Sequence, residues 1–349
     1  MENLRVMSWY HAHKTSRSFV AVILLVAGVA IGCGSPTAPT PAPTPTPTPT
    51  PIPEPPSLTC PAPITASTTS ASGTAVTFTT PSASGGQLPV TVSCTPESGT
   101  TFALGTTSVS CTASDSLNRT ATCNFPVTVS RIPQLTATKF LAFGDSITQG
   151  EVTVPIAGVT AQGFPNFSLR IVPSAAYPTV LQGLMRARYT TQTSSISVIN
   201  EGLAGERARE SFSLLRLAQA LSTHRPDVLL LMHGYNDIGD PSALSTTVAA
   251  VGMMAAEGRL RGARVFIANL APSRSSGSSA RPSASVTGFN DRLIPVIRGE
   301  GATLVDVYGA LLPAVDTYIG IDGLHPNEAG YRKIAETFMA AIQATLEVR

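Results

Sequence analysis

From residue 139 onward, short apolar runs alternate with longer amphipathic stretches. Runs at 139–143, 196–200, 228–232, 265–269 and 304–307 are rich in Val, Ile, Leu and Phe and have the length of single strands. Between and after them, 177–188, 206–221, 245–261, 286–298 and 327–346 read as helices. Strands that are apolar throughout predict a parallel sheet covered on both faces. Alternation of strand and helix predicts right-handed crossovers and one three-layer α/β domain over residues 138–349.

Residues 57–131 follow a different period. Val90, Val92 and Cys94 share one face of an alternating run; so do Val109, Cys111 and Ala113, and then Cys123, Phe125, Val127 and Val129. Turn clusters of Gly, Ser, Pro and Asn separate the runs, which predicts a small all-β sandwich. Cys60, Cys94, Cys111 and Cys123 all lie in this stretch and imply two disulfides in an exported chain. The count alone permits three connectivities. Cys60 opens the sandwich and Cys123 sits near its last strand, while Cys94 and Cys111 occupy neighbouring runs; the expected bridges are therefore Cys60–Cys123 and Cys94–Cys111.

The segments before it are not part of a core. Residues 1–33 carry Arg5, Lys14 and Arg17 ahead of an apolar run at 19–31, too short for a membrane span of about 20 residues but suited to a signal peptide. The run ends in Ala30, Ile31, Gly32 and Cys33, which resembles a bacterial lipobox with Ala30 where a large aliphatic is usual. The resemblance implies that Cys33 is lipidated and becomes the mature N-terminus. Gly34 and Ser35 follow with no aspartate, and by resemblance to Gram-negative lipoproteins this implies an outer-membrane or cell-surface address. Residues 34–56 are Thr-Pro repeats. Proline fixes φ and removes donors, so this linker is expected to be extended, at about 3.1 Å per residue. Eleven of the 29 prolines fall in this stretch and thus report a stalk and not a fold.

Charge narrows the function. The 349 residues carry a net charge of +2 and only 13% of them are charged, so no basic field points to nucleic acid. No His/Cys cluster has zinc spacing, and neither a metal nor another cofactor is implied. All five cysteines precede residue 124, which excludes a cysteine nucleophile in the α/β domain.

What remains is a set of four polar blocks at strand ends. Gly144, Asp145 and Ser146 follow the first strand, at the carboxyl edge where open α/β sheets place ligands. Gly144 is read as permitting a sharp turn there. Asn200 to Glu206 follow the second strand, Gly234 to Asp237 the third, and Asp322 to Pro326 precede the last helix. A serine hydroxyl becomes a nucleophile when a histidine takes its proton and a carboxylate orients that histidine. His11 and His13 lie in the leader; His224 ends a helix before Pro226; His233 has no carboxylate partner suggested by spacing. His325 has Asp322 three residues earlier, in a turn stiffened by Pro326. Gly144, Ser146 and Thr148 lack the second glycine of the α/β-hydrolase nucleophile elbow.

In order and context the four blocks resemble the SGNH (GDSL) hydrolase superfamily over about residues 138–349. The resemblance implies a flavodoxin-like three-layer fold with a parallel five-stranded sheet. It implies Ser146 as nucleophile, His325 as base and Asp322 as its carboxylate. It also implies an oxyanion hole from the Ser146 and Gly205 N–H groups and the Asn236 amide, with Gly202 as the competing glycine. Asp145 and Asp237 are expected to brace their loops, and Asp306 ranks below Asp322 as the acid. Residues 57–131 resemble a hyalin-repeat (HYR) domain, an immunoglobulin-like, non-catalytic module, through 89–94, 105–111 and 121–125 with Asp115 and Asn118; the family usually has glycine where Leu117 stands.

The expected protein is a surface lipoprotein esterase acting on an ester substrate, such as an acetylated polysaccharide, with the HYR-like domain contacting other surface components. Two segments are expected to line its pocket: 150–176, carrying Phe164, Phe167 and Ile171, and the Ser/Arg-rich 271–287. A polar loop buries little acyl chain, which favours short acyl groups. The alternatives are a lipid esterase or lysophospholipase, an acyltransferase, and a non-catalytic adhesion protein.

Overall fold

The structure is a computed structural model that describes residues 51–348. The leader, Cys33 and most of the Thr-Pro stretch lie outside the described residues. Among the described residues, no helix is long and apolar enough to cross a membrane.

The N-terminal region is all β. Strands β1 (Ile64–Thr68), β2 (Thr91–Thr95), β3 (Gly105–Ser114) and β4 (Thr120–Arg131) form a sheet in the order β1-β4-β3-β2. β1 runs parallel to β4, and the other pairs are antiparallel. Two short ladders, Ser57–Leu58 with Ala83–Ser84 and Thr74–Ala75 with Thr101–Phe102, complete it. The period of two in the sequence becomes one buried face: Val109, Cys111, Phe125, Val127 and Val129 meet Val76 and Phe102. The bridges are Cys60–Cys123 and Cys94–Cys111, with Cα atoms 5.7 and 4.0 Å apart. Cys94 stands directly opposite Cys111 and Cys111 opposite Cys123, so three half-cystines form one row across the sheet.

Leu117 does not prevent the β3–β4 turn, because the left-handed position falls on Asn118 (φ 59°) and Leu117 points to solvent. The buried Asp115 carboxylate accepts from the Gln87, Leu117 and Arg119 amides and from the Arg119 side chain.

In the C-terminal region, β5 (Lys139–Gly144), β8 (Ser197–Gly202), β9 (Val228–Met232), β10 (Arg264–Ala268) and β11 (Thr303–Val305) make a five-stranded, wholly parallel sheet in the order β8-β5-β9-β10-β11. Counted along the chain this is the 2-1-3-4-5 order of flavodoxin-like folds, whose switch point lies beside the first strand. The short α1 (Ser146–Gln149) follows β5. Then come α2 (Tyr177–Arg188), α3 (Ser211–His224), α4 (Leu244–Leu260), α5 (Ser283–Gly299), the short α6 (Val307–Leu311) and α7 (Val315–Tyr318), and α8 (Glu328–Leu346). α2 packs with α8, where Tyr177 stacks on Phe338 at 5.0 Å, while α4 packs with α3 and α5. The central strands are buried on both faces, as their unbroken apolar runs require: Phe140 to Phe143 and Val228 to Leu231 have no exposed surface.

Four departures from the sequence reading bear on the site. β8 runs on to Gly202 because Glu201 and Gly202 pair with Phe143 and Gly144. α3 begins at Ser211 and not at residue 206, because the Ala208 and Arg209 amides donate to Asp237 instead of entering a helix. β11 ends at Val305, and Asp306 turns away to cap α6 by accepting from the Gly309 amide. The segment 150–176, given no strand or helix by the sequence pattern, contains a hairpin of β6 (Glu151–Val159) and β7 (Pro165–Ile171).

Candidate active site

The loop that carries Ser146 is shaped by close packing. Gly144 closes β5 with an ordinary φ; its role is space, since a Cβ there would strike the Met232 carbonyl and the Thr148 hydroxyl. This corrects the expectation that Gly144 serves a sharp turn. Asp145 caps α1 by accepting from the Ile147 amide at 3.1 Å, and Gly150 ends the helix in the left-handed region (φ 98°). Ser146 is thereby held at the first position of α1, at the carboxyl end of β5 and beside the switch point.

His325 reaches it from the loop before α8. Ser146 Oγ and His325 Nε2 are 2.9 Å apart, and His325 Nδ1 lies 2.6 Å from Asp322 Oδ2. Asp322 is fully buried, and its Oδ1 accepts from the Leu324 and His325 amides, each at 3.1 Å. Burial pushes its carboxyl up, but the His325 ring and these amides outweigh burial and hold it below the usual aspartate value. A carboxylate at Nδ1 fixes the proton there and leaves Nε2 free to accept from the serine. Asn327 caps α8 through the Gly330 amide, which fixes where the loop stops.

Gly205 and Asn236 converge on Glu206. Asn236 Nδ2 donates to the Glu206 carbonyl at 2.9 Å. Gly205 has φ 77° and nothing within 4 Å of the place a Cβ would occupy, so its backbone is open on that side. Gly202 is different, because a Cβ there would collide with the Gln149 backbone. Close approach of β8 to α1 accounts for Gly202, and an unobstructed backbone distinguishes Gly205. Asp237 accepts from the Ala208 and Arg209 amides, so it braces the Gly205 loop; burial pushes its carboxyl up.

Beneath these loops lies a buried ionic cluster that spacing did not suggest. His233, at the end of β9, places Nε2 3.3 Å from Glu206 and 3.0 Å from the Ser213 hydroxyl, and Nδ1 3.7 Å from Asp145 Oδ2. Arg216 from α3 forks onto both Glu206 oxygens and lies over the Phe143 ring at 4.0 Å. The Gly234 amide also points at Nδ1 (3.0 Å), a contact that suits a neutral ring. Against it, Asp145 Oδ2 is buried with no hydrogen-bond donor, and two carboxylates flank the imidazole. The carboxylates win: burial works against the charge, but Asp145 and Glu206 raise His233 to about 9, while Arg216 and His233 overcome burial and bring Glu206 down to about 2.

Loop 271–283 closes the far side. Ser279 N donates to the Asp322 carbonyl, and Arg274 N and the Ser273 hydroxyl donate to that of Gly323. Ser273, Arg274, Ser275, Ala280, Arg281, Pro282 and Ser283 line a cavity of about 500 Å³ there. On the other side, Glu151 at the base of the hairpin brings Oε2 to 3.5 Å from His325 Nε2.

A parallel 2-1-3-4-5 sheet with a Ser-His-Asp line at the carboxyl ends of its strands defines a three-layer α/β hydrolase. The chain belongs to the GDSL-like lipase/acylhydrolase family, whose model matches residues 142–333, and it is an SGNH-type esterase. The HYR domain model matches residues 53–129. Solved structures similar to this chain include the lipase/acylhydrolase from Enterococcus faecalis, at 20% identity over 60% of this chain and 97% of that one, with a TM-score of 0.47. Others are an alpha/beta hydrolase enzyme from the metagenome of Lake Arreo, Spain (22%, 60% and 96%, TM-score 0.45), and an acetyl-xylooligosaccharide esterase from Geobacillus (19%, 60% and 95%, TM-score 0.45). None of the curated proteins matches the chain.

Proposed function

We propose that Ser146 is the nucleophile, His325 the general base and Asp322 its orienting carboxylate. The reading rests on one observation, the unbroken 2.9 and 2.6 Å contacts from Ser146 through His325 to a fully buried Asp322. Ser146 Oγ attacks the ester carbonyl as its proton passes to Nε2. Nε2 then gives that proton to the leaving alcohol as the C–O bond breaks. Water, activated by the same nitrogen, releases the acid from the acyl-enzyme. The Ser146 and Gly205 N–H groups and the Asn236 amide bind the oxyanion in both steps.

Two disulfides and an HYR domain fit an oxidising compartment outside the cytoplasm. The leader and Cys33 support a lipid-anchored surface enzyme whose stalk holds it off the membrane and whose HYR domain contacts neighbouring surface components. The Ser- and Arg-lined cavity beside the Asp322 turn supports acetylated carbohydrate as substrate over long-chain lipid. The test is hydrolysis of acetyl, butyryl, octanoyl and palmitoyl esters, with Ser146→Ala as the blank. Specificity constants are expected to fall beyond butyryl. A steady rise to octanoyl would replace this substrate class by a lipid esterase, and activity surviving in Ser146→Ala would end the mechanism.

A further inference from the structure

The proton that leaves Ser146 must reach the departing alcohol from His325 Nε2, and it travels one hydrogen bond of about 3 Å. Glu151 Oε2 stands 3.5 Å from that nitrogen, and only 15% of its side chain is exposed. The leaving oxygen therefore lies within about 6.5 Å of a carboxylate by the same reach. Glu151 is not a loose side chain on a loop. It begins β6, and its carbonyl accepts from the buried Tyr331 hydroxyl at 2.5 Å.

The rest of the hairpin face follows from its register. Glu151 is paired with Ile171, Thr153 with Leu169 and Pro155 with Phe167, so these six side chains share one face. The opposite face carries Val152 and Val154 into the core. Thr153 abuts Gly320, where a Cβ would collide with its hydroxyl, so the first face runs along the catalytic loop. Ile171 and Leu169 nevertheless remain 48% and 43% exposed. A carboxylate beside the proton-transfer atom thus continues into a strip of uncovered apolar surface.

Resting on the Ser146–His325 chemistry proposed above, we propose that this hairpin face is the leaving-group subsite and that it takes a polyol ring, such as a sugar. A hydroxyl next to the esterified one donates to Glu151, and the C–H face of the ring lies on Ile171 and Leu169. An anionic alcohol is disfavoured by the same carboxylate.

Three acetate esters test this, because they share the acyl group and differ only in alcohol: a methyl hexopyranoside monoacetate, cyclohexyl acetate and methyl acetate. All three form the same acetyl-enzyme, so kcat/KM reports the acylation in which the alcohol is still present. Glu151→Gln is expected to cut the preference for the sugar ester over the cyclohexyl ester by about tenfold, because the amide oxygen still accepts from the hydroxyl but without the charge that strengthens the bond. Ile171→Ser is expected to lower both ring esters relative to methyl acetate. An equal fall for all three esters in Glu151→Gln would overturn the proposal, since Glu151 would then act on His325 alone. So would an Ile171→Ser protein that alters the acetyl-to-octanoyl ratio with methanol as the common alcohol, because the face would then hold the acyl chain. Binding of free methyl hexopyranoside to the Ser146→Ala protein, followed by NMR, reads the subsite without turnover. It should weaken when Glu151→Gln is added, and unchanged binding refutes the subsite. Sugar bound at Glu151 with no ester hydrolysed by the wild type would instead refute the esterase mechanism and leave the subsite standing.

Discussion

Raising pH should loosen the protein from beneath its active site. His233 is 2% exposed and is held at about 9 by Asp145 and Glu206, against 6.5 for a free imidazole. That difference corresponds to about 3 kcal/mol of preference for the charged ring in the folded state. Because the folded value is the higher one, the contribution is fully present below pH 6.5 and is lost as pH rises through 9. About 2 kcal/mol should remain at pH 7.5 and almost none at pH 10. The charged groups facing the ring are Asp145 at the start of α1, Glu206 and its partner Arg216, and Asp237 in the loop after β9. Glu206, lowered to about 2 by Arg216 and then by His233, contributes stability that is present above pH 4.5 and lost as pH falls through 2; the His233–Glu206 contact enters both figures, so they do not add. The perturbation is His233→Gln, which keeps a hydrogen-bonding side chain and removes the titration. Urea unfolding followed by circular dichroism between pH 6 and 10 gives the comparison, with the oxidised protein throughout. The wild type should lose about 3 kcal/mol more than the variant over that range. Stability curves that run parallel from pH 6 to 10 would show that His233 is neutral in the fold, with Gly234 and not Asp145 as its Nδ1 partner.

Two further outcomes bear on the site and on the sandwich. Asn236→Ala should lower kcat by about 10²–10³ with little change in KM, the usual loss for one oxyanion donor; a change confined to KM would place Asn236 in ground-state binding. Removing Cys60–Cys123, which closes a separation of 63 residues, should cost about 4 kcal/mol, and removing Cys94–Cys111, with a separation of 17, about 3. Thermal melts of the Ser pairs check this order, and kcat should be unchanged in both because no cysteine lies in the α/β domain.

The legible parts of the fold are those where one property decides. β9 and α2 occupy the predicted residues because an unbroken Val-Leu-Leu-Leu-Met run of strand length fits a doubly covered strand, and Pro178 fits the first turn of a helix. The hairpin was missed although its signal was present. Glu151 to Val154 alternate, as do Phe167 to Arg170, and Gly158 and Gly163 have positive φ between them. Alternation this short, with two prolines and two glycines between the two runs, is too weak to mark strands by period alone. Ser146, Asp322 and His325 were legible because their relation is either local, as in Asp322 and His325, or forced by strand ends that a parallel sheet brings to one edge. The reason for Gly202 was not, since it is fixed by the Gln149 backbone and that neighbour arrives from another block.

The partners of His233 were hidden for the same reason, and they explain why the blocks carry acidic residues at all. Asp145 precedes Ser146, Glu206 follows Gly205 and offers its carbonyl to Asn236, and His233 lies between the two carboxylates. Each acid alone would be an uncompensated buried charge. Together with Arg216 they make one cluster that fixes the ends of β5, β8 and β9 relative to one another. Ser146, Gly205 and Asn236, the nucleophile and oxyanion donors proposed above, hang from those ends. Preorganised donors help only if their spacing does not relax when charge develops on the substrate. A cluster that must be complete to be stable sets that spacing, and no single strand end could set it alone.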